Sequence, residues 1–232
     1  MPFKEIENKF LSIRSAVTKE EGEKLYTLAR ECSDGVIVEI GSKYGRSTIC
    51  LGHGSKEGKA NKVYAIDPHI NSYECPSSYD EFKKNISDAD LDSIVETIVS
   101  TSEKATINFN EPVGLIFIDG DHTENMVKID FEAWFPKVKE GGIMAFHDVA
   151  AWWPGPKNIV KRFVIDSRNF SDIGFTNQII FAKKVNQNSL WDRIRNKIFY
   201  NMCIIRGNLN HYHFEYTRFF KRRWHDLTVK CF

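Results

Sequence analysis

The sequence predicts an α/β fold: a doubly wound, mostly parallel sheet of seven strands closed by an antiparallel hairpin, with helices before it and a helical extension after it. Three observations predict this. Short apolar runs rich in β-branched residues recur along the first two thirds of the chain. Segments of helical periodicity separate them, the order that produces parallel strands covered on both faces. Glycines and acids cluster directly after the runs, where strands turn into helices.

The elements follow in order. Phe3, Ile6, Phe10, Ile13 and Val17 recur at spacings of three and four, one stripe of a first helix. Thr18 with Glu21 forms a capping-box pattern that opens a second helix, with Leu25, Leu28 and Ala29 inward and Gly35 as its stop. The strands are Val36–Ile40, Val63–Ile66, Ile94–Val99, Leu115–Ile118 and Ile143–Phe146. Helices begin at Ser47 and span Ser78–Ile86 and Thr123–Phe135. A further helix runs from Pro156 to about Arg168, and Ile173–Phe175 with Gln178–Phe181 make the closing hairpin. Residues 1–185 thus read as one domain and 186–232 as an extension, in which Trp191, Ile194, Ile198, Met202 and Ile205 again fall at helical spacing.

Composition narrows the function classes. The 232 residues are 42% hydrophobic and 27% charged with a net charge of +1, which excludes a disordered chain and a collagen-like repeat. The five cysteines, Cys32, Cys50, Cys75, Cys203 and Cys231, form no CxxC pair, so neither a zinc knuckle nor a disulfide framework is expected. Charges interrupt the N-terminal MPFKEIENKF, no run approaches the ~20 apolar residues of a membrane span, and a cytoplasmic location is expected. The charge is unevenly spread: residues 190–232 hold nine Lys/Arg against three acids, while the remainder holds 23 against 28.

In an open parallel sheet, ligands bind beyond the carboxyl ends of the strands. After the first strand stands Gly41-Ser42-Lys43-Tyr44-Gly45-Arg46-Ser47-Thr48, whose two glycines permit a tight turn and close approach to a helix N-terminus. It is neither GxGxxG nor a P-loop, which weakens a dinucleotide or triphosphate reading. After the second strand, Asp67 is placed to accept hydrogen bonds from a ribose diol, though an Asp before Pro68 is also a turn former. Asp119 and Asp121 follow the fourth strand, and His147-Asp148 the fifth. As isolated residues these acids equally suit solvated loops or caps. Asp130, beside Phe131 on a helix, reads as structural.

The segments VEIGSKYGRST, VYAIDPH, VSTSEKA and LIFIDGDHTENMVKIDFEAWFPKVKEGGIMAFHDV resemble, in order and spacing, class I S-adenosylmethionine-dependent methyltransferases with a Rossmann-like fold. The nearest kind are small bacterial O-methyltransferases of the macrolide-sugar and catechol type, and the resemblance covers roughly residues 30–183. It implies S-adenosylmethionine as cofactor. Glu39, Gly41, Ser42, Lys43, Tyr44, Gly45, Ser47 and Thr48 would surround its methionine part. Asp67 would hold the ribose, Thr101 and Ser102 would approach the adenine, and Asp119, Gly120, Asp121 and His122 would lie beside the transferred methyl. In metal-dependent relatives Mg²⁺ is bound at this level, which here points to Asp119, His147 and Asp148; His147 departs from the usual carboxylate and is equally a candidate base.

The implied reaction is methyl transfer to a hydroxyl of a saccharide or secondary metabolite, with Asp119 and His147 catalytic. Trp152 and Trp153, directly after the His-Asp pair, would stack on the acceptor. Two rivals share the fold: a hydroxylase-associated relative, and a non-catalytic cofactor-binding module that recruits a partner through its tail. The tail itself admits packing on the body or on a second subunit of a homo-oligomer. It also admits contact with the inner membrane face through residues 190–232. Nucleic acid is disfavoured, since no recognition motif accompanies the charge.

Overall fold

The computed structural model describes residues 2–70, 77–150 and 153–207. Strands β1 (Val36–Ile40), β2 (Val63–Ile66), β3 (Val95–Ile98), β4 (Val113–Ile118), β5 (Val138–Phe146), β6 (Phe170–Thr176) and β7 (Ile179–Lys184) form one sheet in the order β3-β2-β1-β4-β5-β7-β6. The first five are mutually parallel, and β7 is antiparallel to both β5 and β6. The strand order reverses between β1 and β4, which opens a crevice above their carboxyl ends.

Each strand residue faces one of two cores because strand side chains alternate. Val36, Val38 and Ile40 face a layer that includes Phe131, Trp134, Val160 and Val164. Ile37 and its neighbours Leu115 and Phe117 face the other, with Phe10, Leu25, Leu51 and Phe82. Fully burying each such Leu, Ile or Phe contributes about 1.5–3 kcal/mol, so both layers hold the sheet that carries the crevice.

The second core is built by α1 (Phe3–Ser12), α2 (Lys19–Glu31), α3 (Arg46–Glu57) and α4 (Tyr79–Asp88). The first helix ends earlier than its stripe predicts; Ile13 and Val17 are buried in the linker that follows, where the stripe continues without helical backbone. The capping box forms as expected: Thr18 accepts from the Glu21 amide, and the Glu21 carboxylate accepts from the Thr18 amide. The helix that it opens ends at Glu31, ahead of Gly35, whose φ of +83° serves the entry into β1 instead.

The other layer contains α5 (Ser102–Ala105), α6 (Glu124–Trp134) and α7 (Pro154–Ile159), which runs on into a π-helical turn over Val160–Ile165. A last helix, α8, spans residues 190–207. It rests on this layer through Tyr200 and Cys203, and Asn196 donates to the Phe170 carbonyl. The stripe read from the sequence is on the opposite side: Trp191, Ile194, Ile198, Met202 and Ile205 are all exposed. The helix docks by a face of mixed polarity, for which periodicity gives no signal. Among the described residues no helix is long and apolar enough to cross a membrane. Cys32, Cys50 and Cys203 are free and buried, and Cys75 and Cys231 lie outside the described residues.

Candidate active site

The crevice holds a cavity of about 450 Å³ above β1, β2, β4 and β5. Its first wall is the turn from β1 to α3. Gly41 takes φ +90°, and a Cβ there would stand 2.1 Å from the Asp119 carbonyl oxygen, so only glycine lets the β1 and β4 ends close together. Ser42, Lys43, Tyr44 and Ser47 line the cavity, as does Asp67 after β2. Asp67 Oδ2 accepts from the Lys43 amide at 2.9 Å and Oδ1 from the His69 amide at 2.7 Å. These bonds fix the carboxylate yet leave lone pairs directed to the cavity. Arg14 lies 3.8 Å over the Tyr44 ring and lines the mouth with Ser15 and Ala16.

Three of the predicted residues stand behind this wall. Gly45, at φ +87°, caps α3. Glu39 is fully buried and accepts from the Thr48 hydroxyl, while its Oε1 has no hydrogen-bond partner. Burial pushes the Glu39 carboxyl up to about 7, with the negative charges of Asp119 and Asp67 adding to the effect. The Ser42 hydroxyl is likewise buried and unpartnered. Buried polar atoms without partners are rare and call for a ligand or water.

The far end is formed by Thr101 and Ser102 at the start of α5, with Met126 and Asp130 from α6. Thr101 accepts from the Lys104 amide as the helix cap, and Ser102 accepts from the Trp134 indole at 2.9 Å. Asp130 is not merely a helix-face residue: it is buried against this wall, and its burial raises the carboxyl to about 6. Its burial depends on α6 leaning over Gly120, a tertiary fact that the adjacent Phe131 does not announce.

At the ends of β4 and β5 the site is charged. Asp119, Gly120, Asp121, His122, His147 and Asp148 all line the cavity. Asp121 accepts from the Thr123 amide at 2.6 Å at the start of α6, and hydrogen bonds from the Thr123 side chain and amide hold its carboxyl below the ordinary range. His147 Nδ1 lies 3.1 Å from Asp119 Oδ1 and 3.3 Å from Asp148 Oδ2, and Nε2 lies 3.4 Å from Glu21 Oε2. The two Nδ1 contacts are ion pairs rather than aligned hydrogen bonds. Burial opposes a charge on this ring, but Asp119, Asp148 and Glu21 outweigh it and hold the imidazole pKa well above its ordinary value.

His122 Nε2 lies 2.7 Å from Asp148 Oδ2 and 3.9 Å from Asp119 Oδ1, and the two acids raise it to about 9. Asp148 itself sits at φ +57°, a left-handed conformation that costs a non-glycine residue on the order of 1 kcal/mol and aims its carboxylate back at both rings. Ligand atoms of Asp119, His122 and Asp148 converge within 4.8 Å of one another. The structure thus groups the two predicted acids with His122, while His147 stands behind them with 1% of its side chain exposed.

Trp153 stacks on His122, ring centroids 4.9 Å apart and planes 16° apart. Trp152 lies outside the described residues. Sequence reasoning found Glu21 as a cap but not as a site residue. Its Oε1 accepts from the Gln178 amide at 2.9 Å, so α2, the hairpin turn and His147 meet at one buried carboxylate.

Comparison with known proteins agrees with this architecture. Residues 38–149 match a family described as a methyltransferase domain. The cofactor-bound Rv0187 from MTB superimposes with a TM-score of 0.61 at 19% identity, over 81% of this chain and 90% of that one. The O-methyltransferase from Bacillus cereus in complex with SAH gives 0.59 at 20%, over 79% and 90%. TomG from Streptomyces achromogenes, an O-methyltransferase involved in tomaymycin synthesis and solved with SAM, gives 0.56 at 16%, over 74% and 82%. At these identities the superpositions establish the fold, and the family match falls on the segment that carries both glycines, Asp67, Asp119 and the His147-Asp148 pair. Residues 38–149 of this chain thus match a methyltransferase domain, set in a seven-stranded sheet of Rossmann-like order.

Proposed function

We propose that the chain transfers a methyl group from S-adenosylmethionine to a hydroxyl of a saccharide or secondary metabolite. The observation that carries this reading is the meeting, at the mouth of one cavity, of Asp119, His122 and Asp148 beneath a stacked Trp153. The residues present fit the cofactor: the turn after β1 lines the cavity, and Ser42 and Asp67 offer unused polar capacity there. They also fit a divalent cation, since two carboxylates and one imidazole converge, although hard Mg²⁺ prefers an all-oxygen set. When bound, the cofactor supplies an electrophilic methyl on a sulfonium, and a cation held by Asp119, His122 and Asp148 would supply acidity to the hydroxyl.

The chain's own residues do the rest. Gly41, Ser42, Lys43, Tyr44 and Ser47 would hold the methionine part, Asp67 the ribose diol, and Thr101 and Ser102 the adenine. Asp119 would orient the acceptor oxygen and take its proton. His122 is the ring that an acceptor can reach. His147, buried between Glu21 and the two aspartates, fixes their carboxylates and balances their charge. Trp153 supplies an aromatic face for a sugar or ring.

Titration calorimetry with S-adenosylmethionine and S-adenosylhomocysteine, with and without Mg²⁺, followed by product mass after an acceptor screen, tests the reading. Binding of both, and a product heavier by one methyl in place of hydrogen, is the expected result. Absence of cofactor binding, or a product heavier by one oxygen, refutes it.

A further inference from the structure

The exposed side of α8 has no function in the cavity. At 100° per residue, Leu190, Ile194, Ile205, Ile198, Trp191 and Met202 fall within an arc of about 120°, and every one is exposed, Trp191 to 77%. Arg195 and Arg206 border the arc on one side and Lys197 on the other. The reverse face is seated by Asn196, Tyr200 and Cys203, so the arc cannot turn inward without dismantling the contact with Phe170 and Lys157. A contiguous apolar surface with polar edges marks a binding face rather than scatter.

We infer that this face lies on an anionic lipid surface, with the apolar arc at the boundary between headgroups and acyl chains. Charge selects that occupant. Arg195 shares its charge with Asp172 and Asp192, and Lys197 lies 3.8 Å from Asp166. The free attraction therefore rests with Arg193, Arg206 and the sequence that follows, which holds Arg218, Lys221, Arg222, Arg223 and Lys230 against Glu215 and Asp226. A second copy would bring the same basic edge against itself in a two-fold contact, and the chain's own residues 208–232 carry the same sign. A negatively charged bilayer satisfies both the apolar arc and the positive surplus. The last residue of α8, Gly207, packs against the Ala150 carbonyl, two residues beyond Asp148.

Cosedimentation of the full chain with vesicles of phosphatidylglycerol and phosphatidylcholine, against vesicles of phosphatidylcholine alone, tests this without any acceptor or cofactor. Binding to the anionic vesicles at low salt, weakened roughly tenfold or more by 0.5 M salt, is expected. Ile194→Asp with Ile198→Asp, both exposed and so compatible with folding, should weaken it by a further factor of roughly ten. Four results would overturn the inference: no binding at low salt, equal binding to neutral vesicles, undiminished binding of the double variant, or a solution dimer that the double variant abolishes. The salt titration uses the unaltered chain and decides the electrostatic part even if the double variant fails to fold.

Discussion

The two ends of the cavity are built on opposite principles. The β1–β2 end is made of backbone: a left-handed glycine, amides donating to Asp67, and a helix start, with its one buried acid, Glu39, tending toward neutrality. The β4–β5 end is made of ions: Glu21, Asp119 and Asp148 around two imidazoles that hold their protons. Backbone donors cost little to pre-organise and suit a ligand whose shape never varies. Buried ions cost several kcal/mol each to desolvate unless paired, so a cluster of them is kept where charge must move. On the proposed function, the difference separates a holding end from a reacting end.

Four experiments break or sharpen that contrast. The largest effect is expected from Asp119→Asn, which should lower kcat by a factor of roughly 10²–10⁴ while calorimetric cofactor affinity changes by less than about threefold. Equal losses in both would mean the two ends are one unit.

Glu39→Gln addresses the holding end through stability. Its folded carboxyl titrates at about 7 against 4.5 when exposed, so between these values the folded state binds the extra proton. Wild-type stability should therefore fall as pH rises from 4.5 to 7 and level off above, by on the order of 3 kcal/mol. The Gln variant should lose the Glu39 share of this slope and keep the smaller one from Asp130 in denaturant titrations at pH 4.5, 6 and 8.

Asp67→Ala should cost roughly 1–3 kcal/mol of cofactor affinity and leave kcat at saturating cofactor nearly unchanged; a fall in kcat alone would reverse its assignment. The smallest change is expected from Trp153→Ala. Loss of the stack on His122 should raise the acceptor KM by about tenfold or less, with cofactor affinity constant by calorimetry.

How much of this was legible in the sequence follows the same division. The holding end is local: Gly41, Gly45 and Asp67 stand directly after strands, and strand ends are visible as the close of apolar runs. The reacting end is only half local. Asp119 and His147-Asp148 are found the same way, but Glu21 is 126 residues from His147 and reads as nothing more than a helix cap. Choosing His122 over His147 as the third converging group needs the left-handed turn at Asp148, which sequence does not specify since Asp tolerates several conformations. Periodicity likewise finds the stripe on α8 and is silent on whether it turns inward, because the docking face is Asn196, Tyr200 and Cys203.

Glu21 carries a practical consequence. It lies outside the segment that matches the methyltransferase family, residues 38–149, yet it closes the charge cluster from below and ties it to the hairpin turn at Gln178. A fragment trimmed to that segment would retain the glycine turn but leave His147 beside two aspartates with its other nitrogen unanswered. The charge cluster is therefore not a cassette that can be lifted out and grafted; it exists only where the leading helices and the trailing hairpin are both in place.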